Sequence, residues 1–406
     1  MTIALAAALR RGGLDPRILA QHPTRPNVLA RVSGRGEAPP LLLYGHADVV
    51  PASDGWRHPP FSGALVHGEI WGRGTLDMKG GLGMLLSATL RAARTDTPPP
   101  GDLIFAATSG EETGGAEGAA FLVREHPELF SGVRHALSEF GGYTQHVGER
   151  RLYPIQVAQK GRCLIQVTTH GKGGHSATPR GRSATGRLAE VLRALERRRL
   201  PTHVTPSVRL MVLAMADGLP GVQARALRAL LRPRLTNLVL TGAGAQAEDL
   251  QPLFRNTAVA TIVRAGEATN TTPTQATATL DGRLVPGHEA SELAGELGRI
   301  LPTDAELEIL EIDPPSRNQP NLELIELLST VLREEDPAGH PFPLVTPGMT
   351  DARHFDRLGI QTYGFLPMRL PPGLLPDLLH ARDERVPAAA LTAGTAALGR
   401  VIERYR

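Results

Sequence analysis

The chain of 406 residues contains a single cysteine, Cys163. An intrachain disulfide is therefore excluded, and so is any metal site built from several thiolates. Metal chemistry in this sequence has to use histidine and carboxylate. Cys163 itself lies in the strand-like run Gly161-Arg162-Cys163-Leu164-Ile165 and reads as a small buried apolar residue. Long hydrophobic runs are missing too. No stretch reaches the roughly 20 apolar residues that a membrane span needs, so no membrane partner is expected. Nor is there a strong excess of one charge: a formal net charge of +3 gives no basis for nucleic-acid binding. Arg197-Arg198-Arg199 reads as the end of a helix, where cations suit the negative end of the dipole. The opening segment from Met1 to Gly13 has an apolar run but no basic segment ahead of it and no convincing cleavage site. It reads as a first helix, and a cytoplasmic location is the expectation. Internal repeats and low-complexity tracts are absent as well.

What is present is an ordinary globular composition, 41% hydrophobic and 21% charged, in a chain long enough for two domains. Apolar, β-rich runs end in glycine or charge: LLLY before Gly45-His46, LIFAAT before Ser109-Gly110-Glu111, HAL before Ser138-Glu139, and QTYGFL after Ile360. Helical patterns separate them, from Leu82 to Arg94, Ala116 to Glu125 and Leu322 to Glu334. This is an α/β pattern with a central, mostly parallel sheet, whose strands are buried on both faces. Ligands of such sheets collect at the carboxyl ends of the strands. A second pattern starts near Lys160: a strand, a helix from about Thr185 to Arg199, then ATATLDGRLVPG and a helix from Ser291 to Ile300. It predicts an inserted α+β domain, a small antiparallel sheet with helices on one face. The expected division is a catalytic domain over residues 1–158 and 315–406, interrupted by an insert over 159–314. The Pro-rich residues 311–321 read as the return linker, and the elements between 200 and 256 cannot be placed.

The polar residues at the strand ends suggest chemistry. His46 and Asp48 follow a strand in GHADVV; imidazole is a good zinc ligand, and a nearby carboxylate can fix its tautomer. Asp77, in the glycine-dense GRGTLDMKGG, could bridge two cations through its two oxygens. Adjacent side chains diverge in extended backbone, so Glu111 and Glu112 are expected to take different roles, Glu112 as ligand and Glu111 as general base. Taken singly, these segments also read as a loop histidine, a helix N-cap and a solvated acidic turn.

Five segments, LLLYGHADVVP, GRGTLDMKGG, TSGEETGG, ALSEFGG and LLHARDERV, occur in the order and spacing of metallopeptidase family twenty, which the chain resembles over nearly its whole length. That family holds aminoacylases, carboxypeptidase S, glutamate carboxypeptidases, succinyl-diaminopimelate desuccinylase and dipeptidases. The pattern is most similar to the carboxypeptidase S-like branch. The resemblance implies two zinc ions, with cobalt or manganese as substitutes: His46 and Glu139 on one, Glu112 and His380 on the other, Asp77 between them. It implies Glu111 as base and Asp48 as support of His46. It implies that the insert is a lid, which pairs two chains in many members. His175 in GKGGHSATPRG then stabilises the oxyanion, and Asn270, Arg283 and Arg353 contact the substrate. The expected substrate is a small molecule, an N-acyl amino acid or a short peptide with a free carboxylate. A co-catalytic zinc aminopeptidase or dipeptidase and a non-catalytic metal-binding relative are the competing readings.

Overall fold

The computed structural model describes residues 1–178, 181–242, 250–317 and 319–406. The chain divides into two compact units, one formed by 1–157, 321–344 and 350–406, the other by 158–320 and 345–349.

The first unit is built on a mixed sheet whose centre is parallel. The strand Leu41–His46 lies between Leu103–Thr108 and His135–Ser138, parallel to both, and Gln361–Gly364 continues the parallel run beside His135–Ser138. Antiparallel strands close the margin, Asn27–Val32 against Leu103–Thr108 and Arg17–Leu19 beyond it. Every residue of Leu41–His46 and Leu103–Thr108 is buried. Successive side chains of a strand face opposite sides, which sorts the two apolar runs into two cores. Leu41, Leu43, Leu103, Phe105 and Ala107 pack in one core, under the helices Lys79–Ala92, Ile325–Glu335 and Ala388–Arg404. Leu42, Tyr44, Ile104 and Ala106 pack in the other, with Phe121 and Leu122 of Ala119–Glu125 and Phe355 of Ala352–Asp356. Each fully buried Leu or Phe stabilises the fold by roughly 1.5–3 kcal/mol, so the continuous apolar runs hold the strand ends in fixed places.

The second unit contains a four-stranded antiparallel sheet in the order Thr257–Ala265, Gln275–Leu284, Gly161–His170, Glu306–Asp313. Cys163, Ile165, Val167, Ala278 and Leu280 face Leu188 and Val191 of the helix Ala184–Arg197, and Leu293 and Leu297 of Ala290–Ile300. Ser183 caps the first helix by accepting from Gly186 N, and Glu289 with Glu292 forms a capping box on the second. Cys163 is a free, buried thiol. Two expectations change. Glu311, Ile312 and Asp313 finish the strand Glu306–Asp313 rather than opening a linker, while Asn318 lies outside the described residues. Between 200 and 256 the described residues form helices Pro206–Asp217, Gly221–Leu230 and Pro233–Gly242. Their prolines and glycines are boundary residues, with Pro206 in the first turn after the Thr205 cap, and do not mark loops. Among the described residues no helix is long and apolar enough to cross a membrane.

Candidate metal centre

The parallel register sets His46 beside Thr108, so the chain leaves both strands at the same edge. His46 is the last residue of its strand, and Glu139 follows directly on His135–Ser138. Asp77 comes in from the loop before Lys79–Ala92, and His380 follows the short helix Leu374–Leu378. The Asp77 loop is drawn against the His46 strand through Met78, whose sulfur accepts from His46 N at 3.3 Å. A Cβ on Gly45 would collide with the end of that same methionine side chain, which would have to shift. Glu111 and Glu112 open a 3-10 turn, Glu111–Thr113, entered through Gly110 at φ 74°. Extended backbone was expected here; consecutive side chains of a 3-10 turn still point about 120° apart, so the two glutamates diverge for a different reason.

The donor atoms converge. Asp77 Oδ1 lies 3.0 Å from His46 Nε2, and Asp77 Oδ2 lies 3.0 Å from His380 Nε2. Glu139 Oε2 is 3.3 Å from His46 Nε2, and Glu112 Oε2 is 3.6 Å from His380 Nε2. Two overlapping triads, His46–Glu111–Glu139 and His46–Asp77–Glu112, each keep their ligand atoms within 4.8 Å of one another. Asp48 serves both sides of this cluster. His46 Nδ1 donates to its carbonyl oxygen at 3.1 Å, and its carboxylate accepts from Glu111 N and Glu112 N, both at 3.2 Å. The expected carboxylate–imidazole contact is longer, 3.7 Å, so Asp48 steadies His46 chiefly through its backbone.

The electrostatics ask for positive charge. With the Nδ1 proton of His46 committed to Asp48, the Nε2 lone pair faces two carboxylates, an arrangement that needs a proton or a cation between them. Burial alone would lower the His46 pKa, but Glu139 and Asp77 raise it well above the usual value. Burial together with the charges of Glu139 and Asp351 pushes Glu111 up to about 10. Glu139 is pushed up to about 7 by burial and by Asp77 and Asp351, against the pull of His46, and Glu112 is raised by burial and Asp77. Asp77 moves the other way, because hydrogen bonds from His380 and His46 outweigh its burial. Crowded carboxylates with two imidazole nitrogens and no thiolate fit hard or borderline divalent ions such as Mn or Zn.

Four further residues are candidates for acting on the substrate. Arg353 is buried, and its guanidinium donates to Thr350 O at 2.9 Å and Gly114 O at 2.7 Å, fastening its short helix to the turn of Glu111 and Glu112. Asp351, just before that helix, accepts from Thr108 Oγ1 at 3.0 Å, and a Cβ on Gly115 would strike its other carboxylate oxygen. His175, Asn270 and Arg283 belong to the second unit. A two-residue ladder pairs His175 with Thr271 and so sets it beside Asn270, both exposed. Arg283 is engaged in a two-point ion pair with Asp281, 2.9 Å on each arm. Sequence reasoning missed Arg73 and Glu384, a buried ion pair at 2.6 Å beside Asp77. Glu384 is part of the segment LLHARDERV, but no local pattern marks an acid as buried.

A mixed sheet with acids and histidines at its strand ends is the architecture of a metal-dependent α/β hydrolase. Residues 42–404 match the profile of peptidase family M20/M25/M40, and the chain belongs to that family. It is 29% identical over 375 residues to the probable carboxypeptidase S-like 2 of Dictyostelium discoideum, covering 86% of this chain and 68% of that protein. It is 27% identical over 413 residues to the succinyl-diaminopimelate desuccinylase of Methylorubrum extorquens, covering 99% and 92%. Its fold is similar to that of the M20 family metallo-carboxypeptidase Sso-CP2 from Sulfolobus solfataricus, with a TM-score of 0.67, 17% identity and coverage of 99% and 92%. The protein is thus a hydrolase of the metallopeptidase and amidohydrolase class, metal-dependent as a member of this family and acting on a small-molecule substrate.

Proposed function

We propose that the chain is a dinuclear zinc hydrolase that cleaves the amide bond of N-acyl amino acids or short peptides next to a free carboxylate. One observation carries this reading: the Asp77 carboxylate reaches His46 with one oxygen and His380 with the other, each at 3.0 Å. One oxygen lies beside His46, which Glu139 also approaches, and the other beside His380, which Glu112 also approaches. In this reading His46 with Glu139 would hold one ion and His380 with Glu112 the other, Asp77 would be common to both, and cobalt or manganese could replace zinc. Bound metal supplies Lewis-acid polarisation of the carbonyl and a water whose pKa is lowered towards neutrality.

The residues do the rest. Glu111, fixed through its backbone by Asp48 and ionised once bound cations offset the carboxylates that raise its pKa, would take the proton of the attacking water and return it to the departing amine. His175 Nδ1 accepts from Ala177 N at 3.2 Å, which leaves the proton of the neutral ring on Nε2, a donor for the developing oxyanion. Asn270 and the arginines 283 and 353 are the candidates for substrate contact. Arg283 would have to release Asp281 to clamp a carboxylate, and Arg353 would act from a guanidinium already bound to carbonyl oxygens. The second unit would serve as lid, and as the pairing surface of a homodimer: its edge strand Thr257–Ala265 carries exposed Val259, Ile262 and Val263.

The test is hydrolysis of a panel of N-acyl amino acids and dipeptides, N-blocked and free, after chelation and re-addition of Zn, Co or Mn. Turnover of N-blocked substrates with a free carboxylate, restored by metal, is the expected result. Preference for free-amine dipeptides would favour the aminopeptidase or dipeptidase reading, and metal uptake without turnover the non-catalytic one. Sedimentation of the full chain tests pairing.

A further inference from the structure

Glu384 is completely buried, yet neither set of metal donors uses it. Its Oε1 accepts from Leu76 N at 2.7 Å and Asp77 N at 3.3 Å, and its Oε2 from Gly74 N at 3.0 Å and Arg73 Nη1 at 2.6 Å. Four donors saturate a carboxylate, so this group has no free lone pair for an ion or a proton in transit. The guanidinium carries the connection further: Arg73 Nη2 donates to the carbonyl oxygen of His380 at 3.0 Å. A continuous path of hydrogen bonds thus runs from Asp77 N through Glu384 and Arg73 to His380 O. It is seated on a backbone ladder. Trp71 pairs with Arg385, and Gly72 N donates to Glu384 O at 2.9 Å, so two segments distant in sequence enter the site as one antiparallel pair.

His380 needs such a support. Its side chain is 46% exposed, so packing does little to aim it. Its backbone sits at φ 59°, a left-handed conformation that non-glycine residues hold only where the surroundings impose it. The carbonyl that Arg73 holds is its own.

We infer that the buried Glu384–Arg73 pair is a positioning device that fixes the separation of Asp77 and His380 and thereby sets the affinity of the ion they share. This rests on the dinuclear reading above. Glu384 is in neither donor group and Arg73 is a cation; they act through the two ligands. Outer partners of metal ligands change affinity by about 10–100-fold when removed.

The experiment measures zinc affinity of the full-length protein by competition with a chelating dye, together with kcat, KM and the melting temperature of the metal-free form. Glu384→Gln is expected to weaken one of the two zinc ions by about 10–100-fold, with kcat recovered in excess zinc and KM unchanged. Arg73→Lys cannot reach Glu384 and the His380 carbonyl together and should weaken the same ion by about tenfold, which decides the matter if Glu384→Gln does not fold. Wild-type binding of two ions with unchanged affinities in either folded variant overturns this inference alone. A wild-type chain that takes up fewer than two ions overturns the dinuclear reading and this inference with it.

Discussion

In the first unit His46 is 1% exposed; its Nδ1 is held by the Asp48 carbonyl two residues on, and its Nε2 meets Asp77 and Glu139 from other segments of the chain. In the second unit His175 lies exposed on a two-residue ladder, with the amide of Ala177 donating to its ring. Both histidines were candidates from the sequence, His46 by its place at a strand end and His175 through the resemblance, and the fold treats them differently. Around His46, burial makes each hydrogen bond strong and each unpaired group costly, so the geometry is over-determined before any ligand arrives. Among the described residues His175 has no such network. On the proposed function, that contrast suits an ion-holding cluster in one unit and a group that answers to substrate in the other.

Four substitutions probe that contrast. Asp77→Ala removes the carboxylate common to both donor sets; uptake of both ions, read by metal analysis, and turnover should fall to background. Glu111→Gln keeps the turn and the ligands, so metal content should stay intact while kcat falls by about 10²–10⁴-fold. Near-normal turnover in that variant would sink the assigned role. His175→Ala should leave metal content and melting temperature unchanged and reduce kcat by about 10²–10³-fold, the cost of one oxyanion donor. If it altered metal content instead, the two units would not divide the work as described.

The smallest effect belongs to a part of the first unit away from the donor cluster. Asp336 takes Arg151 Nη2 at 2.7 Å and Tyr153 Oη at 3.0 Å, and these partners lower its pKa to about 2. An acid with a depressed folded-state pKa contributes stability that is complete above its unfolded value, near 4, and is lost as pH falls towards 2. Asp336→Asn should therefore cost about 2 kcal/mol at neutral pH, and the gap to wild type in acid titrations of unfolding should close below about pH 4. Turnover per folded molecule should not change, in contrast to the other three.

Much of the fold was readable because it rests on local patterns. Uninterrupted apolar runs such as LLLY and LIFAAT announce strands covered on both faces, and the structure splits each run between two cores. The helices Ala184–Arg197 and Ala290–Ile300 fall within a residue or two of the expected limits, because their caps are written in adjacent residues. The stretch from 200 to 256 resisted reading because glycine and proline mark a helix boundary and a loop with the same letters.

The sequence by itself determined which groups are available for chemistry: one cysteine leaves histidine and carboxylate, and the order of the strand-end acids makes them candidates for one site. Tertiary structure decided how those groups are spent. Arg353 donates to the carbonyls of Gly114 and Thr350, and Arg283 pairs with Asp281, partners that no pattern in the sequence announces. Glu384, one more charge in LLHARDERV, is buried and holds Asp77 and His380 in register through Arg73. The physical reason is range. Apolar periodicity and capping act over a few residues and leave a mark in sequence, whereas the partner of a buried charge is chosen by the folded chain, here 311 residues away.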